Sequence, residues 1–208
     1  MHSILVCVGT DGDVFPFIGL GARLRARGHR VTLLANEGYR SLATEHGFAF
    51  HALVTAGESD EFLTDPDVWR PVKGALLAAR WAVRFFRRQY DLLAAAASDG
   101  DAVLAASPGV FAARLVQEKL SIPMASVILM PWMIPSVSAP PVLPVPGLPR
   151  WAPRWAGGLY WRLVDATGDI LIGRHLNRVR AALGLKPVRR LFRWWFSPEL
   201  VIGLFPDW

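Results

Sequence analysis

The chain has 208 residues, 52% hydrophobic and 19% charged, with a net charge of +6 and one cysteine. That length and apolar content fit a single domain with a sizeable core and exclude a disordered chain. The lone Cys7 excludes an internal disulfide; in its apolar run it reads as a buried structural thiol, compatible with a reducing compartment.

In chain order, Ser3 to Val8 reads as a buried strand, preceded by nothing resembling a basic secretory n-region. Gly9 to Phe15 reads as a loop. Pro16 suits the first turn of a helix that runs to about Arg27 and stops at Gly28. Val31 to Ala35 is a second strand, Glu37 to His46 a helix ended by Gly47, and Phe48 to Leu53 a third strand. Strands and helices alternating at this spacing imply right-handed crossovers and a Rossmann-like parallel sheet flanked by helices.

Residues 54 to 71 read as a polar excursion. A long helix follows from about Val72 to Ala97. Its apolar stripe Leu76, Ala79, Val83, Phe86, Tyr90 and Leu93 faces the core, and Arg80, Arg84 and Arg87 form a solvated face. Ala102 to Ala106 is a fourth strand, Gly109 to Leu120 a helix and Pro123 to Leu129 a fifth strand.

Residues 120 to 149 carry no charge but contain eight prolines, so they form an apolar loop and not a spanning helix. Helical pattern resumes from Trp155 to Leu183, with Gly157, Gly158, Gly168 and Gly173 as candidate breaks; Leu200 to Phe205 is the last strand. Ten Arg/Lys against two Asp lie between Arg150 and Arg193, with tryptophans interspersed. Nucleic acid, an anionic membrane or an anionic ligand all suit such a segment.

Ligands of a parallel sheet sit beyond the carboxyl ends of its strands. The loops at Gly9 to Pro16, Ala106 to Gly109 and Met130 onward are therefore the candidates. The first lacks both the P-loop and the G-x-G-x-x-G patterns, and Asp13 would repel a pyrophosphate there. A carboxylate at that point suits proton abstraction or hydroxyl binding, or simply helix capping by Asp11 or Asp13. The five histidines show no metal-ligand spacing, no G-x-S-x-G occurs, and Cys7 has no evident base.

The stretch from Gly9 to Phe50, GTDGDVFPFIGLGARLRARGHRVTLLANEGYRSLATEHGFAF, resembles the opening of GT-B glycosyltransferases (UDP-glycosyltransferase-like, family 28 N-terminal domain). GDVFPFIGL, RGHRV, ARLVQEKLSIP and LFPDW give it most likeness, within that group, to the rhamnosyltransferase type that glycosylates hydroxy-fatty-acid lipids. The resemblance implies that residues 1 to 208 are one acceptor-binding N-terminal domain, with the C-terminal donor-binding domain absent. The implied enzyme is an inverting hexosyltransferase, inactive without its donor half. It would move a hexose or deoxyhexose, rhamnose from dTDP-L-rhamnose among them, to a hydroxyl of a lipid or other apolar acceptor.

No cofactor and no metal are implied; the nucleotide-sugar is a co-substrate held mainly by the missing domain, in cis or in trans. Asp13 matches the family's general base. Gly12 would let the backbone approach the ligand, and Asp11 stands where some relatives carry Arg. Ser107, Pro108, Gly109, Met130 and Trp132 would line the acceptor pocket. A cytoplasmic location follows, with the Trp/Arg stretch from Trp151 to Trp161 resting at the inner membrane surface or packing on the core. The alternative is a non-catalytic small-molecule or lipid binding module that keeps the fold. A dinucleotide oxidoreductase fails on glycine spacing, and a nucleic-acid binder on the lack of a matching module.

Overall fold

The structure, a computed structural model, describes residues 1–98, 100–136 and 153–205. Six strands form one all-parallel sheet: β1 His2–Val6, β2 Arg30–Asn36, β3 Ala49–Val54, β4 Ala102–Ala106, β5 Met124–Ile128 and β6 Leu200–Gly203. Their order is β3-β2-β1-β4-β5-β6, every neighbouring pair parallel. Strands buried on both faces read as continuous apolar runs, which is why ILVCV and SVI were legible as strands. The last strand stops at Gly203, two residues short of the expected Phe205.

Alternation along β1 builds two cores. Ile4 and Val6 face one layer with Leu34, Leu104 and the apolar stripe of the long helix that precedes β4. Leu5 and Cys7 face the other, against Val14 and Phe17 of the first helix. Cys7 is fully buried, as expected, and burial pushes its thiol well above the ordinary range.

The helices are α1 Asp11–Ala26, α2 Arg40–Glu45, α3 Ala56–Thr64, α4 Pro71–Ala96, α5 Phe111–Leu120, α6 Arg154–Gly168, α7 Arg174–Ala182 and α8 Leu191–Trp194. The structure departs from the sequence expectations at α1, α3, α4 and α6. Helix α1 starts at Asp11, five residues before Pro16, because Thr10 provides a cap that makes the Gly/Asp stretch helical. Pro16 is thus inside the helix, and without an N–H it leaves the Gly12 carbonyl lacking its i+4 donor.

The supposed excursion at 54 to 71 contains α3. There Glu58 reaches back to the Thr55 amide at 2.9 Å while Thr55 Oγ1 accepts from the Glu58 amide at 3.3 Å. A capping box supplied helix start signals that outweighed the polar composition.

In α4, Ala79, Phe86, Tyr90 and Leu93 are buried as the stripe requires, but Leu76 is 36% exposed at the outer end. Arg84 and Arg87 do lie on a solvated face, paired with Glu61 and Asp91. Full burial of Phe86 predicts a loss of about 3–5 kcal/mol on truncation to alanine.

Finally, Gly157 and Gly158 do not interrupt α6; the chain passes from α6 through a π turn, Asp169–Gly173, directly into α7. Gly168 and Gly173 do mark the change of helix type: α6 ends at Gly168, where a Cβ would meet the Phe192 ring at 2.5 Å, and the π turn ends at Gly173. Most of the proline-rich loop, Trp151 and the closing Pro206 to Trp208 lie outside the described residues.

Candidate functional site

The strand order reverses between β1 and β4: the chain winds out to β3 and then crosses over β1 to β4. Loops diverge at such a switch point and open a crevice at the carboxyl ends of the strands. A cavity of about 810 Å³ lies there. Val8 and Gly9 follow β1, Asn36 ends β2, Val54 ends β3, and Gly109 and Val110 follow β4.

The floor comes from the sheet; the walls come from α3 and α4. Ala78, Trp81, Ala82, Phe85 and Gln89 step by three and four along one face of α4, and Ser59, Phe62 and Leu63 answer from α3. Phe62 meets Trp81 edge-on at 5.4 Å between centroids, and Trp81 meets Phe85 at 5.3 Å. These rings make a continuous aromatic wall.

Helix α3 is clamped in place by Glu58. Both its oxygens bond Arg88 at 2.8 and 2.7 Å, and Arg88 also donates to the Leu53 carbonyl at 2.7 Å. The Arg88 guanidinium, helped by Thr55, brings the Glu58 carboxyl down to about 2.

The polar edge is built by the start of α1. Thr10 donates from its amide (2.9 Å) and its hydroxyl (3.3 Å) to Asp13 Oδ2. Gly9 adopts φ +147°, and a Cβ there would clash with that same oxygen. Glycine is required at this position on both counts. Its amide donates to Asn36 Oδ1 at 3.3 Å, and Asn36 Nδ2 in turn donates to Ser59 Oγ at 3.4 Å.

The register between β2 and β3 shifts between Ala35 and Asn36, an irregularity of the kind that re-aims a side chain at a strand end. Tyr39 donates its hydroxyl to Asp11 Oδ1 at 2.7 Å. Partial burial, then the bond to Asp11, push the Tyr39 phenol far up, so it stays a donor at any working pH.

Of the residues singled out from sequence, Asp11 and Gly109 line the cavity. Asp13 lies one turn behind Thr10, half-buried, with Oδ2 engaged by Thr10. Gly12 is exposed beside it. Ser107 donates its amide to the Val6 carbonyl at 2.9 Å and Pro108 is buried below, so both shape the turn that presents Gly109.

Met130 follows β5, outside the lining, and Trp132 belongs to the 3-10 turn Pro131–Met133. Sequence reading missed Asn36, Tyr39 and the whole α3–α4 wall. The Thr55-x-x-Glu58 box was the available signal for α3. Among the described residues, no cluster of three or more His, Cys, Asp or Glu converges on a metal site.

Comparison with known proteins agrees with this architecture. Residues 3–138 match the glycosyltransferase family 28 N-terminal domain. Glycosyltransferase GtfE of Amycolatopsis orientalis is 32% identical over 205 residues, which is 92% of this chain and 46% of that protein. A sterol 3-beta-glucosyltransferase of Eremothecium gossypii is 33% identical over 131 residues, 62% of this chain and 10% of that protein.

The crystal structure of SsfS6, a Streptomyces sp. SF2575 glycosyltransferase, superposes with a TM-score of 0.59. It is 22% identical to this chain and covered by it over 51% of its length, against 100% of this one. The chain thus spans about half the length of GtfE and SsfS6. It belongs to the glycosyltransferase family 28 N-terminal domain family, with the Rossmann-like parallel sheet of a GT-B N-terminal domain.

Proposed function

We propose that the chain is the acceptor-binding domain of an inverting glycosyltransferase. The reaction moves a hexose or deoxyhexose from a nucleotide-sugar, held mainly by a C-terminal domain, to a hydroxyl of an apolar acceptor. The observation that carries this reading is the cavity itself, which joins an aromatic wall to a carboxylate-bearing edge at the switch point of the sheet. Apolar pockets with a few convergent polar groups are where such acceptors are held. The sterol 3-beta-glucosyltransferase among the relatives supports an apolar acceptor; for rhamnose and a hydroxy-fatty-acid lipid the support is the sequence motifs GDVFPFIGL and ARLVQEKLSIP alone.

In the reaction, the acceptor oxygen attacks the anomeric carbon, the nucleoside diphosphate leaves, and the acceptor proton passes to a base. Asp13 is our base: Thr10 fixes one of its oxygens, and Oδ1 has no hydrogen bond to any described residue. Asp11, oriented by Tyr39, holds a hydroxyl of the bound molecule at the cavity edge.

The same reading puts the domain at the inner membrane surface. Trp155, Leu159, Leu163 and Ile170 form an exposed apolar stripe along α6 and the π turn, with exposed Arg162, Arg174 and Arg178 beside it. The two acidic residues of this stretch point elsewhere: Asp165 is buried and Asp169 caps α8 through the Arg190 and Leu191 amides. A basic face with apolar residues suits an anionic lipid surface. No helix among the described residues is long and apolar enough to cross a membrane.

The test is transfer from UDP-glucose and dTDP-L-rhamnose to a hydroxy-fatty acid and a sterol, with this chain alone and with a related C-terminal domain added. Activity only in the reconstituted mixture, lowered about 10²- to 10⁴-fold by Asp13→Ala, is the expected result. Transfer by the lone chain would remove the need for a donor domain. Acceptor binding without transfer in any mixture would turn the reading to a binding module.

A further inference from the structure

Gln89 is 7% exposed and lines the cavity from the end of its α4 wall. Its amide makes no hydrogen bond with any described residue. The comparison with Gln117 is direct: equally buried at 5%, that amide is bonded to Arg114, Ser197 and Glu199. Neither amide atom of Gln89 is among the fully buried unpaired ones, so the group is wetted from the cavity and can exchange water for a ligand group. The small surface Gln89 retains opens on the cavity, which has room for a ligand and an aromatic wall of Phe62, Trp81 and Phe85 leading to it.

An amide offers both a donor and an acceptor, so its partner is a hydroxyl or a carbonyl. The polar edge at Asp11 and Tyr39 belongs to a different part of the same cavity, after β1 and β2. A molecule that satisfies both ends has an apolar body between two polar groups. We propose that Gln89 is a specificity-determining residue that hydrogen-bonds a second hydroxyl or carbonyl of the acceptor. The acceptor is therefore a bifunctional apolar molecule and not a simple alkyl alcohol. This rests on the acceptor reading of the cavity.

A matched ligand pair separates the two ideas. 17β-Estradiol carries a hydroxyl at each end of a flat apolar body, and its 17-deoxy analogue lacks one. Binding of each to the wild-type chain and to Gln89→Leu is followed by tryptophan fluorescence and calorimetry. The wild type should prefer the diol by about tenfold, and Gln89→Leu should bind both within about twofold. Equal binding of the pair by wild type overturns the inference while leaving the acceptor reading intact.

A preference that survives in Gln89→Leu moves the second contact to another residue and overturns the assignment. No binding of either ligand also overturns it, and the transfer panel above then decides the acceptor reading by itself. If Gln89→Leu does not fold, the wild-type preference together with Gln89→Met carries the same decision.

Discussion

Two sets of polar groups, one at the β6 edge of the sheet and one around the cavity at its switch point, are finished differently. At the β6 side, Glu118 accepts from Arg114 (2.9 Å), Arg180 (2.7 Å) and Trp194 Nε1 (2.6 Å). Arg114 also donates to the Trp194 carbonyl at 3.0 Å, and Gln117 reaches Glu199 at 3.0 Å, which in turn takes the Met124 amide. Both guanidiniums lie over the Trp194 ring. Apart from Arg180 Nη1, the set closes on itself. Burial depresses the Arg114 pKa, yet the carboxylates around it keep it in place. At the cavity side, Gln89 is left open, and Asn36 and Asp11 are only partly engaged. Closed networks hold segments together, here α5, α7, α8 and the entry to β6. Open ones cost stability and are kept where a ligand completes them.

The largest effect expected from this contrast is at Glu118. Glu118→Ala leaves Arg114 and Arg180, with side chains only 8% and 4% exposed, without their shared anion. Urea unfolding should show a loss of about 3–5 kcal/mol. A loss below about 1 kcal/mol would mean the network is not what fastens this edge.

Next is Gly9→Ala, which forces a Cβ against Asp13 at φ +147°. The strain should cost about 1–3 kcal/mol in thermal unfolding and disturb the cavity edge first. An unchanged melting temperature would show that Asp13 is free to move away.

Smaller and pH-specific is the Glu58–Arg88 clamp of the cavity wall. Because Arg88 lowers the Glu58 carboxyl from 4.5 to about 2, its stabilisation is present above 4.5 and is lost as pH falls through that window. Acid titration of Trp81 fluorescence should show α3 loosening there in wild type, and Glu58→Gln should flatten the response. Smallest is Leu159→Ser on the exposed α6 stripe: stability should stay within about 0.5 kcal/mol, while binding to anionic vesicles weakens. Retained vesicle binding would remove the membrane face from the reading.

Much of the fold was legible because its signals are local. The apolar runs of β1, β2, β4 and β5, and Gly28 at the end of α1 with φ +82°, all declare themselves within a few residues. The early strand-helix alternation pointed to the parallel sheet, and GDVFP with RGHRV pointed to the family. The cavity was legible only at its edge, where Asp11 and Gly109, read as loop residues beyond strand ends, are part of its lining. The wall was not, since α3 is short and polar, and Trp81 and Phe85 were read as part of a helix with no hint of which space they enclose.

The sequence by itself therefore determined the class of sheet, the family and the carboxylate-bearing segment after β1, since periodicity and turn chemistry act over short stretches. Only the tertiary structure decided that α1 begins at Asp11, that α3 closes over α4, and that Gln89 ends unpaired in a cavity. Those outcomes depend on contacts between segments far apart in the chain, such as Arg88 on Glu58. No local pattern encodes which of two buried glutamines finds its partners inside the chain.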